Sequence, residues 1–374
     1  VAPTNGGQPG LAHDYLLVPR GAERTFAAIA ACWPGAPIYT LLYDKDAVQS
    51  LFPDPHQVHT SYLQRLGTRQ SGFRYLLPFF PRAVEHLPVG DHDVLVSSSS
   101  AWAHGIRPRP GAVHVCYCHS PFRYAWFERE RALAECPRPA RPLLKRSLDR
   151  IRAWDLKASE RVTHYVANSI GTQERIAELY GRESEVIHPP VAVDRFAIGR
   201  AEDFLLFVGQ IVPHKRVEVA IEAALQAGRP IRIVGAGPDL PRLQATYHRP
   251  DVTFLGAVTD AELAELYATC LALVVPNIEE FGIAAVEAMA AGRPVVAVNR
   301  GGVRETVVDG VTGLLVDGED AGQIAAALRE IDATGFDPAA IRRHAETFST
   351  ESFQAKMMAL VERVAGGELQ PSRP

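Results

Sequence analysis

Short apolar runs rich in Val, Ile and Leu alternate with longer segments of helical period along most of the chain. GLAHDYLLV is followed by ERTFAAIAACW and PIYTLLY, and further on come DVLVSSSS, AVHVCYC and THYVANS. Strands buried on both faces read as nearly unbroken apolar runs, with helices covering them, so the pattern predicts parallel α/β units. A second series starts after the turn-rich VIHPPVAVDRFAIGR: FLLFVG, VEVAIEAALQAG, IRIVG, VTFLG, DAELAELYATC, LALVVP, AAVEAMAAG and PVVAV. His188, Pro189 and Pro190 mark the join, because a residue before proline is driven from the α region and paired prolines stiffen a connection. The expected organisation is a loose tail over 1–9, a first domain over 10–198 and a second over 199–350. An amphipathic helix over 351–364 is free to pack back on the first domain. Thr259 and Glu262 form a capping box that opens DAELAELYATC.

A chain of 374 residues exceeds the size at which one core keeps growing, which agrees with two domains. Its net charge of -4 gives no overall attraction to nucleic acid, so none is expected as a partner. Cys32, Cys116, Cys118, Cys136 and Cys270 are odd in number and scattered, unlike a secreted disulfide framework, and point to the reducing cytoplasm. The opening VAPTNGGQPG has neither the basic nor the apolar region of a signal peptide. No apolar run reaches the roughly eighteen residues that span a bilayer, so membrane contact would be peripheral, at the inner face.

Open α/β sheets bind ligands at the carboxyl ends of their strands. The most specific string there is PNIEEFGIAAVEAMAAGRPVVA, which runs from a strand end through a loop into a helix. It puts Glu279 on the loop and Glu287 about one turn into the helix. Phe281, Gly282 and Ile283 then present backbone N–H groups at a helix N-terminus, a site for an anionic ligand, and Glu287 can accept from vicinal ribose hydroxyls. The other reading makes both glutamates solvated helix residues. Gly235-Ala236-Gly237 is a fragment of the dinucleotide fingerprint, but Leu240 stands at its third glycine and no fitting acid follows, so NAD is not expected. His114, Cys116 and Cys118 share one face of a strand, too close and collinear for tetrahedral zinc, and Asp91-His92-Asp93 reads as a solvated turn. In RPARPLLKRSLDRIR, the stripe Leu144, Leu148 and Ile151 is flanked by Arg138, Arg141, Lys145, Arg146, Arg150 and Arg152. Such a helix either lies on anionic lipid or turns its stripe to the core, and SGFRYLLPFFPRAVEHL offers a second apolar contact.

GIAAVEAMAAGRPVVA preceded by EEF resembles the signature of the family-four retaining glycosyltransferases of GT-B architecture. LAHDYLLVPRGAER, VHVCYCHSPFRYAW, VANSIGTQERI, VIHPPVAVDRF, VGQIVPHKR, VGAGPDLPRL, VTFLGAVTD and GGVRETVVDGVTGLLV resemble its other segments in order. CYCHSPFRYAW and HPPV are most similar to bacterial mannosyltransferase-like enzymes of surface-polysaccharide assembly.

The resemblance implies two Rossmann-like, doubly wound parallel-sheet domains facing across a cleft. It implies a nucleotide diphosphate sugar as co-substrate, no metal or other cofactor, and hexose transfer with retention to a glycan, lipid-linked or small-molecule acceptor. Mannose from GDP-mannose is the first expectation. By the same resemblance Lys215, with Arg216 beside it, meets the diphosphate, while Gln210 stands where the family has an arginine. Gly209, Gly235 and Gly237 let the chain turn beside the nucleotide, and the loop from Leu255 to Val258 meets the base. Gly21 opens a glycine-type loop toward the donor. His119 and Glu279 hold the donor sugar, Glu287 the ribose, and the amides after Phe281 the phosphates; Asp14, Arg20, Arg123 and Tyr124 fall on the acceptor side. His119, Glu279 and Lys215 carry the catalysis. A nucleotide-sugar 2-epimerase and a catalytically silent sugar-nucleotide-binding protein remain as alternatives.

Overall fold

The structure is a computed structural model that describes residues 7–52, 57–66, 73–332 and 335–367. Most of the expected tail thus lies outside the described residues. The chain divides into two units, Val1–His188 with Gln354–Pro374, and Pro189–Phe353.

The first unit is built on β1 (Gly10–His13), β2 (Ile38–Thr40), β3 (Val58–Thr60), β4 (Val94–Ser99), β5 (Val113–Cys118), β6 (His164–Ala167) and β7 (Ser184–Val186). They lie in the order β3-β2-β1-β4-β5-β6-β7, every neighbouring pair parallel. The inner strands carry the apolar runs: Leu95, Val96, Val115, Cys116 and Tyr117 are buried, while β3 and β7 are partly exposed.

The second unit carries β8 (Leu205–Val208), β9 (Ile231–Val234), β10 (Val252–Gly256), β11 (Ala272–Val275), β12 (Val295–Val298) and β13 (Gly313–Val316), ordered β10-β9-β8-β11-β12-β13 and again parallel. In both sheets the strand order reverses once, between β1 and β4 and between β8 and β11. A crevice opens beyond the carboxyl ends of such strand pairs.

Helix ends follow local chemistry. Ser169 accepts from Thr172 N at 3.2 Å to open Ile170–Tyr180. At the start of Asp260–Thr269, Glu262 N donates to Thr259 Oγ1 at 3.3 Å and Thr259 N to Glu262 Oε2 at 2.7 Å, forming the capping box. Val191, Val193 and Phe196 pack in one core cluster with Phe204, Tyr267, Met289 and Phe348, so the segment after Pro190 belongs with the second unit. The helix Thr350–Ala365 returns to the first: Gln354 Nε2 donates to Ala28 O at 3.1 Å and Arg363 pairs with Glu185 at 2.7 Å.

The helix Arg141–Ser159 resolves its ambiguous stripe. Leu148 and Ile151 are buried with Trp102 and Phe122, and Leu144 packs partly against them, so that face is spent on the core and not on a lipid surface. Lys145, Arg146, Arg150 and Arg152 remain exposed, with Leu143 at 71% and Leu156 beside them. In SGFRYLLPFFPRAVEHL, residues 71–72 and the side chains of 73–75 lie outside the described residues. Phe80, Ala83 and Val84 join the same core, and Phe79 is exposed. Among the described residues no helix is long and apolar enough to cross a membrane.

Candidate functional site

In the first unit, chemistry collects where β1, β4 and β5 end. His13 Nδ1 donates to Ser98 O at 3.0 Å, with its ring stacked on Phe26 at 4.8 Å. A carbonyl only accepts, so this bond puts the His13 proton on Nδ1. Ser98 Oγ, 3.1 Å from that nitrogen, can meet it only as an acceptor, which keeps its own proton available for His119 Nε2 at 2.8 Å. His119 is also held by its backbone: its N–H donates to Ser99 O at 2.9 Å and its carbonyl accepts from Thr172 Oγ1 at 3.3 Å. Burial, with His13 adding repulsion, lowers His119 to about 3, and burial lowers His13 to about 4. Both rings are neutral at neutral pH. His119 thus acts as a hydrogen-bonding imidazole and not as a cation.

Asp14, expected on the acceptor side, is 2% exposed. Its carboxylate accepts from Ser100 N at 2.7 Å, Trp102 N at 2.9 Å, Ala103 N at 2.7 Å and Ser99 Oγ at 3.3 Å. It braces the loop after β4 and offers no open face. The segment expected as a glycine-type loop at Gly21 is instead the first turn of the helix Gly21–Ala30. Glu23 makes it so: its Oε2 accepts from Arg20 N at 3.2 Å, and an acidic residue suits a helix N-terminus. Arg20 and Gly21 are exposed there. Tyr124 is exposed, packed edge-on against Phe122 at 5.8 Å, and Arg123 sits 3.6 Å from Glu128.

In the second unit the two strands that flank the reversal, β8 and β11, deliver Lys215 and Glu279. Lys215 Nζ lies 2.6 and 2.8 Å from the two Glu279 oxygens, and Asn277 Nδ2 donates to Glu279 Oε1 at 2.9 Å. The side chains are 23% and 25% exposed. Gly302 N donates to Glu279 O at 2.7 Å, strapping the loop after β12 to that glutamate. Arg216, in a left-handed conformation with φ 53°, sets its guanidinium on Glu319, both on the carboxylate and at 2.7 Å from the carbonyl. Gln210 is exposed.

Gly282 takes φ 89° and opens the helix Ile283–Ala290; the Phe281 ring is buried, edge-on to Phe348 at 5.8 Å. One helical turn on, Glu287 Oε2 accepts from Tyr267 OH at 2.9 Å. Gly235 and Gly237 serve the chain itself: a Cβ on them would lie 1.8 Å from Gly209 O and 2.1 Å from Ile211 O. Leu255, next to the last residue of β10, has its side chain exposed, and Val258 packs partly against the core.

The structure thus joins Lys215 with Glu279 and sets Arg216 next to them, while Asp14 is closed off. Sequence reasoning missed Ser98, Asn277, Tyr267 and Glu319; only Asn277 carries a local signal, as a polar residue inside the PNIEEF string. Among the described residues no group of three His, Cys, Asp or Glu is gathered as a metal site. Cys116 and Cys118 lie in a core cluster with Tyr165 and Ile176.

A family model described as Glycosyltransferase Family 4 matches residues 19–195, and one described as Glycosyl transferases group 1 matches residues 193–345. The chain is 37% identical over 239 residues to a D-inositol 3-phosphate glycosyltransferase of Geodermatophilus obscurus, covering 54% of this chain and 53% of that one. It is 32% identical over 237 residues to the protein of the same name from Mycobacterium tuberculosis, covering 54% and 48%. The chain spans about half the length of these curated relatives. Anabaena Alr3699/HepE, solved with UDP and glucose, superposes with a TM-score of 0.67 at 17% identity over 95% of this chain and 100% of that one. A sucrose-phosphate synthase from Thermosynechococcus elongatus gives 0.70 at 19% over 96% and 100%. These likenesses show the fold.

Proposed function

We propose that the chain is a glycosyltransferase of the group 1 family with the GT-B fold, supported by family models over residues 19–195 and 193–345, and that it moves a hexosyl group from a nucleoside diphosphate sugar to an acceptor hydroxyl. The observation that carries this reading is the Lys215–Glu279 pair, placed at the carboxyl ends of the strands that flank the reversal in the second sheet. An ammonium has three donors, and Glu279 takes two of them. The third is left for a diphosphate oxygen. Glu279 retains lone pairs for sugar hydroxyls, and Glu287, steadied by Tyr267, faces the same task for ribose.

The transfer proceeds with retention in this proposal. The bond from the anomeric carbon to phosphate breaks, the acceptor oxygen bonds on the same face, and the departing phosphate oxygen takes the acceptor proton. Lys215 offsets the charge that develops on that oxygen, and the neutral His119 contacts the donor sugar. Lys215 makes a divalent metal unnecessary. For the donor, the wording of CYCHSPFRYAW favours GDP-mannose, while a solved neighbour carries UDP and glucose. The acceptor is a glycan, a lipid-linked sugar or a small molecule, and the named relatives point to a phosphorylated polyol among the last.

A thermal-shift screen with GDP, UDP, ADP and their sugars, run with and without EDTA, tests the reading. One nucleotide is expected to stabilise the protein by about 2.7 kcal/mol at a hundred times its dissociation constant. Glu287→Ala should abolish that shift and EDTA should leave both shift and turnover intact. No shift with any nucleotide overturns the donor site, and turnover lost to EDTA and restored by Mn²⁺ overturns the metal-free mechanism.

We place the reaction in the cytoplasm, where the five free cysteines stay reduced, at the inner membrane face. Lys145, Arg146, Arg150 and Arg152 stay exposed beside Leu143 and would each add about 1 kcal/mol near anionic lipid. Flotation with anionic vesicles is expected to carry the protein at low salt and release it at high salt. Equal binding to neutral vesicles, or none to either, removes the membrane from the proposal.

A further inference from the structure

Gln210 leaves the proposed diphosphate site without a guanidinium at the position where the resemblance expects one, and the loop after β12 supplies an arginine nearby. Arg300 directly precedes Gly301, which bridges to Glu279, and Gly302, whose N–H donates to Glu279 O at 2.7 Å. Its Nη1 lies 2.7 Å from Glu319 Oε1, while Arg216, the neighbour of Lys215, holds Oε2 of the same carboxylate. The Lys215–Glu279 pair and the Arg216–Glu319–Arg300 group are thus neighbours along the backbone, through Lys215 and Arg216 and through the Glu279–Gly301 bridge, and together hold three cations and two carboxylates. The surplus cation suits an anionic ligand.

The two arginines on Glu319 are not held alike. Arg216 is bound twice, to carboxylate and carbonyl, and its side chain is 31% exposed; Arg300 has the one bond to the carboxylate and is 57% exposed. An exposed single ion pair is worth little, so Arg300 is the one that leaves at small cost. We propose that Arg300 is a donor-binding residue, held by Glu319 until it is transferred to the diphosphate of the donor, where it supplies the guanidinium that Gln210 lacks. This rests on the diphosphate reading of Lys215 given above. Release of Arg300 leaves Glu319 neutralised by Arg216, so no carboxylate is stranded. A guanidinium can meet two phosphate oxygens at once, which an ammonium cannot, so Arg300 also selects for diphosphates over monophosphates.

The test compares binding of GDP and UDP, and of GMP and UMP, to the wild-type chain and to Arg300→Ala, Arg300→Lys and Lys215→Ala. Arg300→Ala is expected to weaken the preferred diphosphate about tenfold and its monophosphate less than twofold. Arg300→Lys should recover part of the loss, and added salt should narrow the gap between wild type and Arg300→Ala. If Arg300→Ala binds the diphosphate as tightly as wild type while Lys215→Ala does not, the parked-arginine proposal is overturned and the donor site stands. If neither variant changes diphosphate binding, the reading of Lys215 falls and the proposal falls with it. An equal loss of mono- and diphosphate in Arg300→Ala also overturns it, since that result marks disruption of the site and not a lost phosphate contact.

Discussion

Replacing Lys215 with alanine is expected to lower kcat about a hundredfold or more, the loss seen when one preorganised donor to a developing oxyanion is removed. The structure explains why the effect falls on turnover and not on folding. The pair with Glu279 is about a quarter exposed, and such pairs contribute at most about 1 kcal/mol to stability. The loss in catalysis has two sources that can be separated: the ammonium no longer meets the leaving phosphate, and Glu279, stripped of its partner, repels it. Steady-state kinetics on Lys215→Ala, Glu279→Gln and the double variant divide them. If Lys215 meets the diphosphate, the double variant stays below Glu279→Gln alone. If the lysine serves only to neutralise Glu279, the double variant returns to the level of Glu279→Gln, and the leaving-group role is lost. Lys215→Arg should recover little, because a planar fork on a longer stem cannot keep both Glu279 contacts and the phosphate.

Strands with apolar runs of three or more residues, such as DVLVSSSS, AVHVCYC and FLLFVG, were legible because burial on both faces leaves a local record. β3 and β7, read as Val58-His59-Thr60 and Ser184-Glu185-Val186, left none: edge strands bury little, so selection for apolar side chains is weak there. The stripe Leu144, Leu148 and Ile151 shows a different limit. A helix on lipid and a helix on its own core need the same periodicity, and only the position of Trp102 and Phe122 decided between them.

At the site, the residues that touch ligand in the proposal sit in recognisable strings, but the residues that set their state do not. Ser98 acts on His119 across adjacent strands, Tyr267 on Glu287 from another helix, and Glu319 on Arg216 from far along the chain. Each is an unremarkable residue in its own segment, and parallel sheets bring them together through crossovers that no local window spans. The local geometry at Gly21 differs for a local reason instead: Glu23 makes the segment a helix start where the glycine had suggested a loop.

Asp14→Ala should be the most damaging substitution to the fold of the first unit, and its effect should reach His119. Wild-type Asp14 satisfies the backbone N–H groups of Ser100, Trp102 and Ala103 with a single carboxylate. Trp102 and Ala103 are buried, so alanine leaves donors that water cannot easily reach, and each unsatisfied buried group costs about 1–3 kcal/mol. With some relaxation, a net loss of about 3 kcal/mol is expected, or roughly 6–12 °C in Tm for a unit of this size. Asp14→Asn keeps one acceptor oxygen but turns an amide NH2 toward backbone donors, so it should fall between the two. The loop so released follows directly on Ser98 and Ser99 at the end of β4, which hold the His119 ring and backbone, so activity should fall in Asp14→Asn even where the protein is still folded. Differential scanning calorimetry and kcat measured well below the lowered Tm check both effects. An unchanged Tm in Asp14→Ala would mean that the loop finds other partners for its amides. An unchanged kcat in folded Asp14→Asn would mean that the His119 ring does not depend on the strand end that Asp14 braces.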